Sequence, residues 1–233
     1  GEGTVIHDKD ADTVRPIASI TKLMTAMVIL DSGLDMNGKV TVTKDDRDLI
    51  KLTGSRLGYG ATLTRREMVL LAVMSSENRA AAALGRTYPG GTPAFVDAMN
   101  AKATLLGMTH SHFADPAGLR PENTSTARDL ARMITAAYDY PLIREASTTR
   151  RMEVRPWSNR GPLAYGNTNR LLKNDTWTIE LSKTGYLNES GRCLVMRAII
   201  EGEPVFIVLL NSFGKLTPFG DSNRLRRWLL AGG

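Results

Sequence analysis

Three short polar groupings in the sequence carry the residue types of acyl transfer. The first is Ser19-Ile-Thr-Lys22, which opens a run that is apolar or nearly so from Leu23 to Leu30. Positions i and i+3 of a helix share a face, so the hydroxyl and the amine come within hydrogen-bond reach. A lysine desolvated at the mouth of a core helix has a lowered pKa, and its neutral amine can take the proton of Ser19. The positive end of the helix would favour the negative charge that develops during attack. The simpler alternative is that Ser19 caps the helix and Lys22 snorkels to water.

The second grouping, Ser76-Glu77-Asn78, interrupts two apolar helical stretches and could project a hydroxyl and an amide into a cleft; the alternative is a helix stop and restart, with Ser76 and Asn78 as caps. The third, Lys183-Thr184-Gly185, ends the strand-like TIELS. A cation, a hydroxyl and a missing side chain on a strand edge suit recognition of a carboxylate and close approach of a ligand backbone. Its alternative is a solvated edge lysine followed by a loop glycine.

The elements that must position these groups are legible from periodicity. TVIHD (4–8) reads as a strand running into a turn, and the helix from about Ser19 stops at Asp31-Ser32-Gly33. VTVTK (40–44) alternates like a short strand. Thr64 and Glu67 have capping-box spacing ahead of the helix Met68 to Met74, and an alanine-rich helix resumes at Arg79. After Pro89-Gly90-Gly91, Thr92 is expected to cap a helix reaching Leu106, with Pro93 in its first turn. Ser125 or Thr126 caps another, whose Leu130, Met133, Ile134 and Ala137 share a face. From about residue 149 the pattern turns to strands: TRRMEVR, TWTIELSKTGY, then RCLVMRAII and PVFIVLLNSF joined as an antiparallel hairpin. The hairpin is apolar on both faces, which predicts a central, helix-covered position, and DSNRLRRWLL reads as a closing helix. This order predicts a mixed α/β protein in two lobes, with a site in the cleft between them.

Composition narrows the function classes. The 233 residues, 42% apolar and 23% charged, suffice for one large domain or two small lobes. No stretch approaches the roughly 18 apolar residues of a membrane span, and GEGTVIHDKDAD has no secretory leader pattern, so an exported protein is represented here by its mature part. Cys193 is the only cysteine, which excludes a disulfide framework and a cysteine-rich zinc site and leaves a packing role. A net charge of +6 points to an anionic partner, yet the Arg-Arg pairs at 65–66, 150–151 and 226–227 are scattered, without the basic tract of a nucleic-acid surface.

Taken together, S-x-x-K, S-x-N and K-T-G occur in the order and structural setting of the penicillin-binding proteins and serine β-lactamases. RPIASITKLMTAMVILD, LLAVMSSENRAAAALG, FADPAGLRPENTSTARDL and LSKTGYLNESGRCLVM resemble the D-alanyl-D-alanine peptidase branch, nearest its penicillin-binding protein 7/8 type of D-alanyl-D-alanine endopeptidases. The resemblance covers essentially the whole chain. It implies a penicillin-binding protein/serine β-lactamase-like α+β fold, an antiparallel sheet flanked by helices plus a mostly helical lobe. The sheet lobe would comprise about 1–33 and 147–233, the helical lobe about 34–146.

Carried over by motif, the resemblance makes Ser19 the nucleophile and Lys22 its base. Ser76 and Asn78 relay protons and hold the substrate's peptide groups, Lys183 completes the proton network, and Thr184 helps bind the substrate carboxylate beside Gly185. The backbone N–H groups of Ser19 and Tyr186 form the oxyanion hole. FADPAGL borders the site, with no catalytic role for Asp115. Two departures from the resemblance are read here: such enzymes carry a further strand ahead of TVIHD, and a chain ending at residue 233 is expected to lack the β-rich domain and amphipathic tail of membrane-attached carboxypeptidases. RLRRWLL is expected to pack on the sheet rather than lie on a membrane.

The implied activity is periplasmic hydrolysis of D-alanyl-diaminopimelate cross-links in peptidoglycan through an acyl-enzyme, with β-lactams as covalent inhibitors and neither metal nor cofactor. A D,D-carboxypeptidase would use the same residues. A β-lactamase is disfavoured because no E-x-x-L-N segment lies between Asn78 and Lys183 to supply a deacylating carboxylate, and a non-catalytic wall-binding protein would not need all motifs intact.

Overall fold

The structure, a computed structural model, describes residues 3–232. At its centre is α1 (Thr21–Asp31), in which every residue from Thr21 to Ile29 is buried. A helix apolar on all sides has no stable place except inside protein, and α1 touches five other helices. Burial of Leu23, Met24, Met27 and Ile29 contributes about 1.5–3 kcal/mol each, which offsets the cost of holding Lys22 among them.

A 3-10 turn at Ala18–Ile20 links β1 (Arg15–Pro16) to α1. β2 (Lys39–Thr41) pairs antiparallel with β3 (Thr62–Thr64). α2 (Arg65–Met74) begins on the expected capping box: Thr64 Oγ1 accepts from the Glu67 N–H while the Glu67 carboxylate accepts from the Thr64 N–H. α3 (Asn78–Arg86) follows, then α4 (Gly91–Leu105). Thr92 does not cap α4. Gly90, at φ +85°, takes that position because only glycine enters the left-handed region without a Cβ penalty, and Thr92 falls inside the first turn.

β4 (Thr124–Ser125) returns beside β1, and α5 (Ala127–Tyr138) is capped by Thr126, which accepts from the Asp129 N–H. Its buried face is Leu130, Met133, Ile134 and Ala137, as the spacing predicts. α6 (Pro141–Thr148) was not evident in the sequence, since its eight residues hold a single apolar pair, but Ile143 and Ala146 fit the core. β5 (Arg151–Val154) pairs with β6 (Leu163–Gly166).

The main sheet is antiparallel, β7 (Thr178–Leu187), β8 (Gly191–Ile200) and β9 (Glu203–Ser212) in that order, with α5 on one face and α7 (Thr217–Leu230) on the other. Alternation on β8 serves both faces. Leu194, Met196, Ala198 and Ile200 pack under Phe219, Leu225 and Leu229 of α7, while Cys193 and Val195 belong to the main core. Cys193 is thus a packing residue, and RLRRWLL lies on the sheet.

Two expectations need correction. β8 is central, but β9 ends the sheet among the described residues; its apolar faces are covered by α5 and α7 rather than by neighbouring strands. Thr4 to Asp8 forms no strand, with Val5 57% and Ile6 54% exposed. Strand-forming residues need a ladder partner, and no described strand lies beside them.

Thr64→Ala removes one half of the α2 capping box and should lower stability by about 1 kcal/mol. Thermal melting checks this; an unchanged midpoint would show that the cap contributes nothing.

Candidate active site

Ser19 sits in the 3-10 turn that leads into α1, and the turn is unusual. Ala18 has φ +47°, a left-handed conformation that costs a non-glycine residue about 1–3 kcal/mol and persists only where its surroundings enforce it. Two glycines enforce it. A Cβ on Gly118 (φ +75°) would lie 2.0 Å from the Ala18 carbonyl oxygen, and one on Gly185 would lie 2.9 Å from the Ile17 carbonyl oxygen and 3.1 Å from the Ser19 nitrogen. The FADPAGL loop and the edge of β7 therefore clasp the Ser19 turn from two directions, each through a missing side chain.

Lys22 is fully buried, and its Nζ lies 2.8 Å from Ser19 Oγ, 2.8 Å from Asn78 Oδ1 and 2.5 Å from the Ala117 carbonyl oxygen. As an ammonium group it would donate to all three. As a neutral amine it keeps two donors, which the amide and carbonyl oxygens satisfy, and turns its lone pair toward the Ser19 hydroxyl. Burial pushes the pKa of Lys22 down to about 7, against the raising influence of the Asp115, Glu77 and Asp48 carboxylates. None of these carboxylates forms an ion pair with it. The snorkelling alternative is excluded, and Ser19 makes no side-chain cap.

The partners of Lys22 are themselves fixed. Asn78 is the first residue of α3, and its Nδ2 donates to Thr53 Oγ1, which donates to Asp48 Oδ2; this orients Oδ1 toward the lysine. The Ala117 carbonyl is held by Asp115. Asp115 Oδ1 accepts from the N–H groups of Ala117, Gly118 and Leu119, and Oδ2 from Leu119, Arg120 and Asn123 Nδ2. Asp115 is a positioning residue that acts through the loop backbone.

The break between α2 and α3 is capped by neither Ser76 nor Asn78. Ser75 Oγ bonds back to the Leu71 carbonyl at the end of α2, and Glu77 caps α3 by accepting from the Arg79 N–H. That frees the serine and asparagine side chains for the cleft. Ser76 is at φ +60°, so it too is held in the left-handed region. Its Oγ accepts from Lys183 Nζ at 3.0 Å. Lys183, 1% exposed, also donates to the Thr184 carbonyl, and burial together with the nearby Lys22 charge holds its pKa well below the ordinary lysine value. The Thr184 hydroxyl donates to Thr168 Oγ1 at 2.6 Å. Tyr186 continues β7, its ring exposed beneath the Arg192 guanidinium.

The structure thus joins Ser19, Lys22 and Asn78 in one cluster and Ser76, Lys183 and Thr184 in another, with Gly185 against the Ser19 nitrogen. Sequence reasoning passed over Thr53, Asp48 and Thr168, and placed FADPAGL at the border of the site without giving Ala117 or Gly118 a part in it. The D-x-A-G spacing of FADPAGL was the available signal, because an aspartate that accepts from residues two and three ahead marks a tight loop. A backbone carbonyl such as that of Ala117 leaves no residue-type signature.

A family model described as D-alanyl-D-alanine carboxypeptidase matches residues 1–214. The D-alanyl-D-alanine endopeptidase of Pseudomonas aeruginosa is 50% identical over 99% of this chain and 74% of its own length. Its namesake from Escherichia coli is 48% identical over 98% of this chain and 74% of its own. Among solved structures, the Streptomyces K15 DD-transpeptidase superposes with a TM-score of 0.89 at 29% identity, covering 98% of this chain and 93% of that one.

If Lys22 is the base for Ser19, its unprotonated form is the competent one, and acylation by a penicillin should speed up as pH rises through about 7 and then level off. A rate that keeps climbing from pH 8 to 10 would place the amine at its ordinary value. Asp115→Asn should slow acylation about tenfold or more by releasing the Ala117 carbonyl. It should also move the midpoint of the pH profile lower, because the Asp115 charge raises the Lys22 pKa; a slowed enzyme with an unshifted midpoint would contradict that coupling.

Proposed function

The chain belongs to the D-alanyl-D-alanine carboxypeptidase family, and from that premise we propose that it is a serine D-alanyl-D-alanine endopeptidase that hydrolyses peptidoglycan cross-links. The observation that carries the mechanism is the fully buried Lys22 amine, 2.8 Å from the Ser19 hydroxyl and without an ion-pair partner among the described residues.

Ser19 Oγ attacks the carbonyl carbon of D-alanine as Lys22 Nζ accepts its proton. The oxyanion is met by the N–H groups of Ser19 and Tyr186, and the close approach of Gly185 to the Ser19 nitrogen supports that pairing. Collapse breaks the C–N bond, and the amine leaves with a proton from Ser76 Oγ, replenished from Lys183 and Lys22. Asn78 holds the substrate's peptide group, Thr184 and Gly185 receive its carboxylate, and water hydrolyses the resulting ester to restore Ser19. A β-lactam enters the same path as far as the ester. These residues form one catalytic domain.

The endopeptidase reading over the carboxypeptidase one is supported by the two relatives at 48–50% identity, both named endopeptidases. A cross-link between D-alanine and the D-centre of diaminopimelate is the substrate that reading names. The working place is the periplasm, where the cross-links are; no helix among the described residues is long and apolar enough to cross a membrane.

The test uses purified protein, a cross-linked muropeptide dimer, a pentapeptide monomer and a fluorescent penicillin. The wild type should split the dimer and take the label, and Ser19→Ala should do neither. Label retained by the variant would remove Ser19 as nucleophile. A dimer left intact while the pentapeptide loses its terminal alanine would establish the carboxypeptidase instead.

A further inference from the structure

A cavity of about 430 Å³ opens at the α2–α3 break, lined by Gly54, Ser55, Arg56, Ser75, Glu77, Tyr165 and Gly166. Its place relative to the chemistry follows from its walls. Ser75 and Glu77 flank Ser76, and Gly166 lies two residues before Thr168, whose hydroxyl meets Thr184. In the mechanism above, Ser76 protonates the departing nitrogen and Thr184 receives the carboxylate next to it. The cavity therefore adjoins the leaving-group half of the cleft, and it is larger than a lone terminal alanine requires.

Two of its groups are chemically unspent. Arg56 lies with its guanidinium carbon 4.1 Å above the centre of the Tyr165 ring and forms no ion pair or hydrogen bond among the described residues. With the guanidinium over that ring and its N–H donors uncommitted, its planar fork suits a carboxylate. Tyr165 is 3% exposed, and its hydroxyl has no hydrogen-bond partner, whereas buried polar atoms of folded proteins nearly always have one. By contrast Glu77, on the same wall, is engaged: its Oε1 accepts from Ser55 Oγ and from the Arg79 N–H.

We propose that this cavity seats the stem peptide released by cleavage, and that Arg56, backed by Tyr165, binds a carboxylate of that stem distinct from the one facing Thr184. The inference rests on the endopeptidase reading and supplies its specificity. A carboxypeptidase discards one alanine and has nothing to place there, while an endopeptidase releases an entire anionic peptide.

The test compares wild type, Arg56→Ala and Arg56→Lys on a cross-linked muropeptide dimer, each normalised to the acylation rate by a fluorescent penicillin, which carries no second stem. Arg56→Ala should lower the ratio of dimer cleavage to acylation about tenfold, mostly through KM, the loss of one charge-assisted contact. Arg56→Lys should recover part of it. A dimer whose released stem has that second carboxylate amidated should be a poorer wild-type substrate and should respond little to the substitution. An Arg56→Ala protein with the wild-type ratio, or one equally impaired on the amidated dimer, overturns the subsite alone. A wild type that leaves every dimer intact overturns the endopeptidase reading and the subsite with it.

Discussion

The site depends on an amine buried without a counterion. An ammonium group taken out of water is held by its protein only when neighbouring charge or dipoles compensate, and otherwise the group sheds its proton. Around Lys22 the compensation is deliberately incomplete: two neutral oxygens and a hydroxyl touch it, while the carboxylates that favour its charge stay out of contact. The result is an amine whose pKa of about 7 matches the task of a base at neutral pH. A contacting aspartate would make the lysine a fixed cation, and an apolar sleeve would leave it without the orientation that aims its lone pair. Lys183 obeys the same rule one step further on, since Lys22 itself is one of the causes that depress it.

Such an arrangement needs rigid surroundings, and the fold supplies them from elements remote in sequence. α1 carries the amine at its buried end, the α2–α3 break supplies the amide, and the loop ordered by Asp115 supplies the carbonyl. The strained residues Ala18 and Ser76 lie at the two serines, one in each cluster. Their backbone would relax in isolation; it is pinned by Gly118 and Gly185 on one side and by the caps of α2 and α3 on the other. Strain, glycine and caps are one device: they fix where two hydroxyl oxygens stand.

How much of this was legible in the sequence follows from what side-chain chemistry can announce. S-x-x-K, S-x-N and K-T-G each admitted a bland reading as caps or an edge lysine, and named their residues only through their joint order on a helix mouth, a helix break and a strand edge. The face of α5, the α2 capping box and the β8–β9 hairpin were readable because periodicity and capping are local. The left-handed Gly90 that displaced Thr92 from the cap depends on backbone conformation, which residue type only weakly announces. TVIHD looked like a strand because propensity ignores whether a partner exists. The residues that hold Lys22 and Asn78 in place were hidden for a further reason: Ala117 acts through its carbonyl and Thr53 through its effect on Asn78, so neither carries a signal of its own.

The contacts of Lys22 reach 3, 56 and 95 residues along the chain. An unfolded or partly assembled molecule therefore has a lysine near pKa 10.4 and an ordinary serine, and is chemically inert. On the proposed mechanism, reactivity switches on only when the last of the remote segments is seated, so covalent capture of a penicillin would count completed molecules. The same separation means the protein cannot attack a peptide while its own chain is still finding its fold.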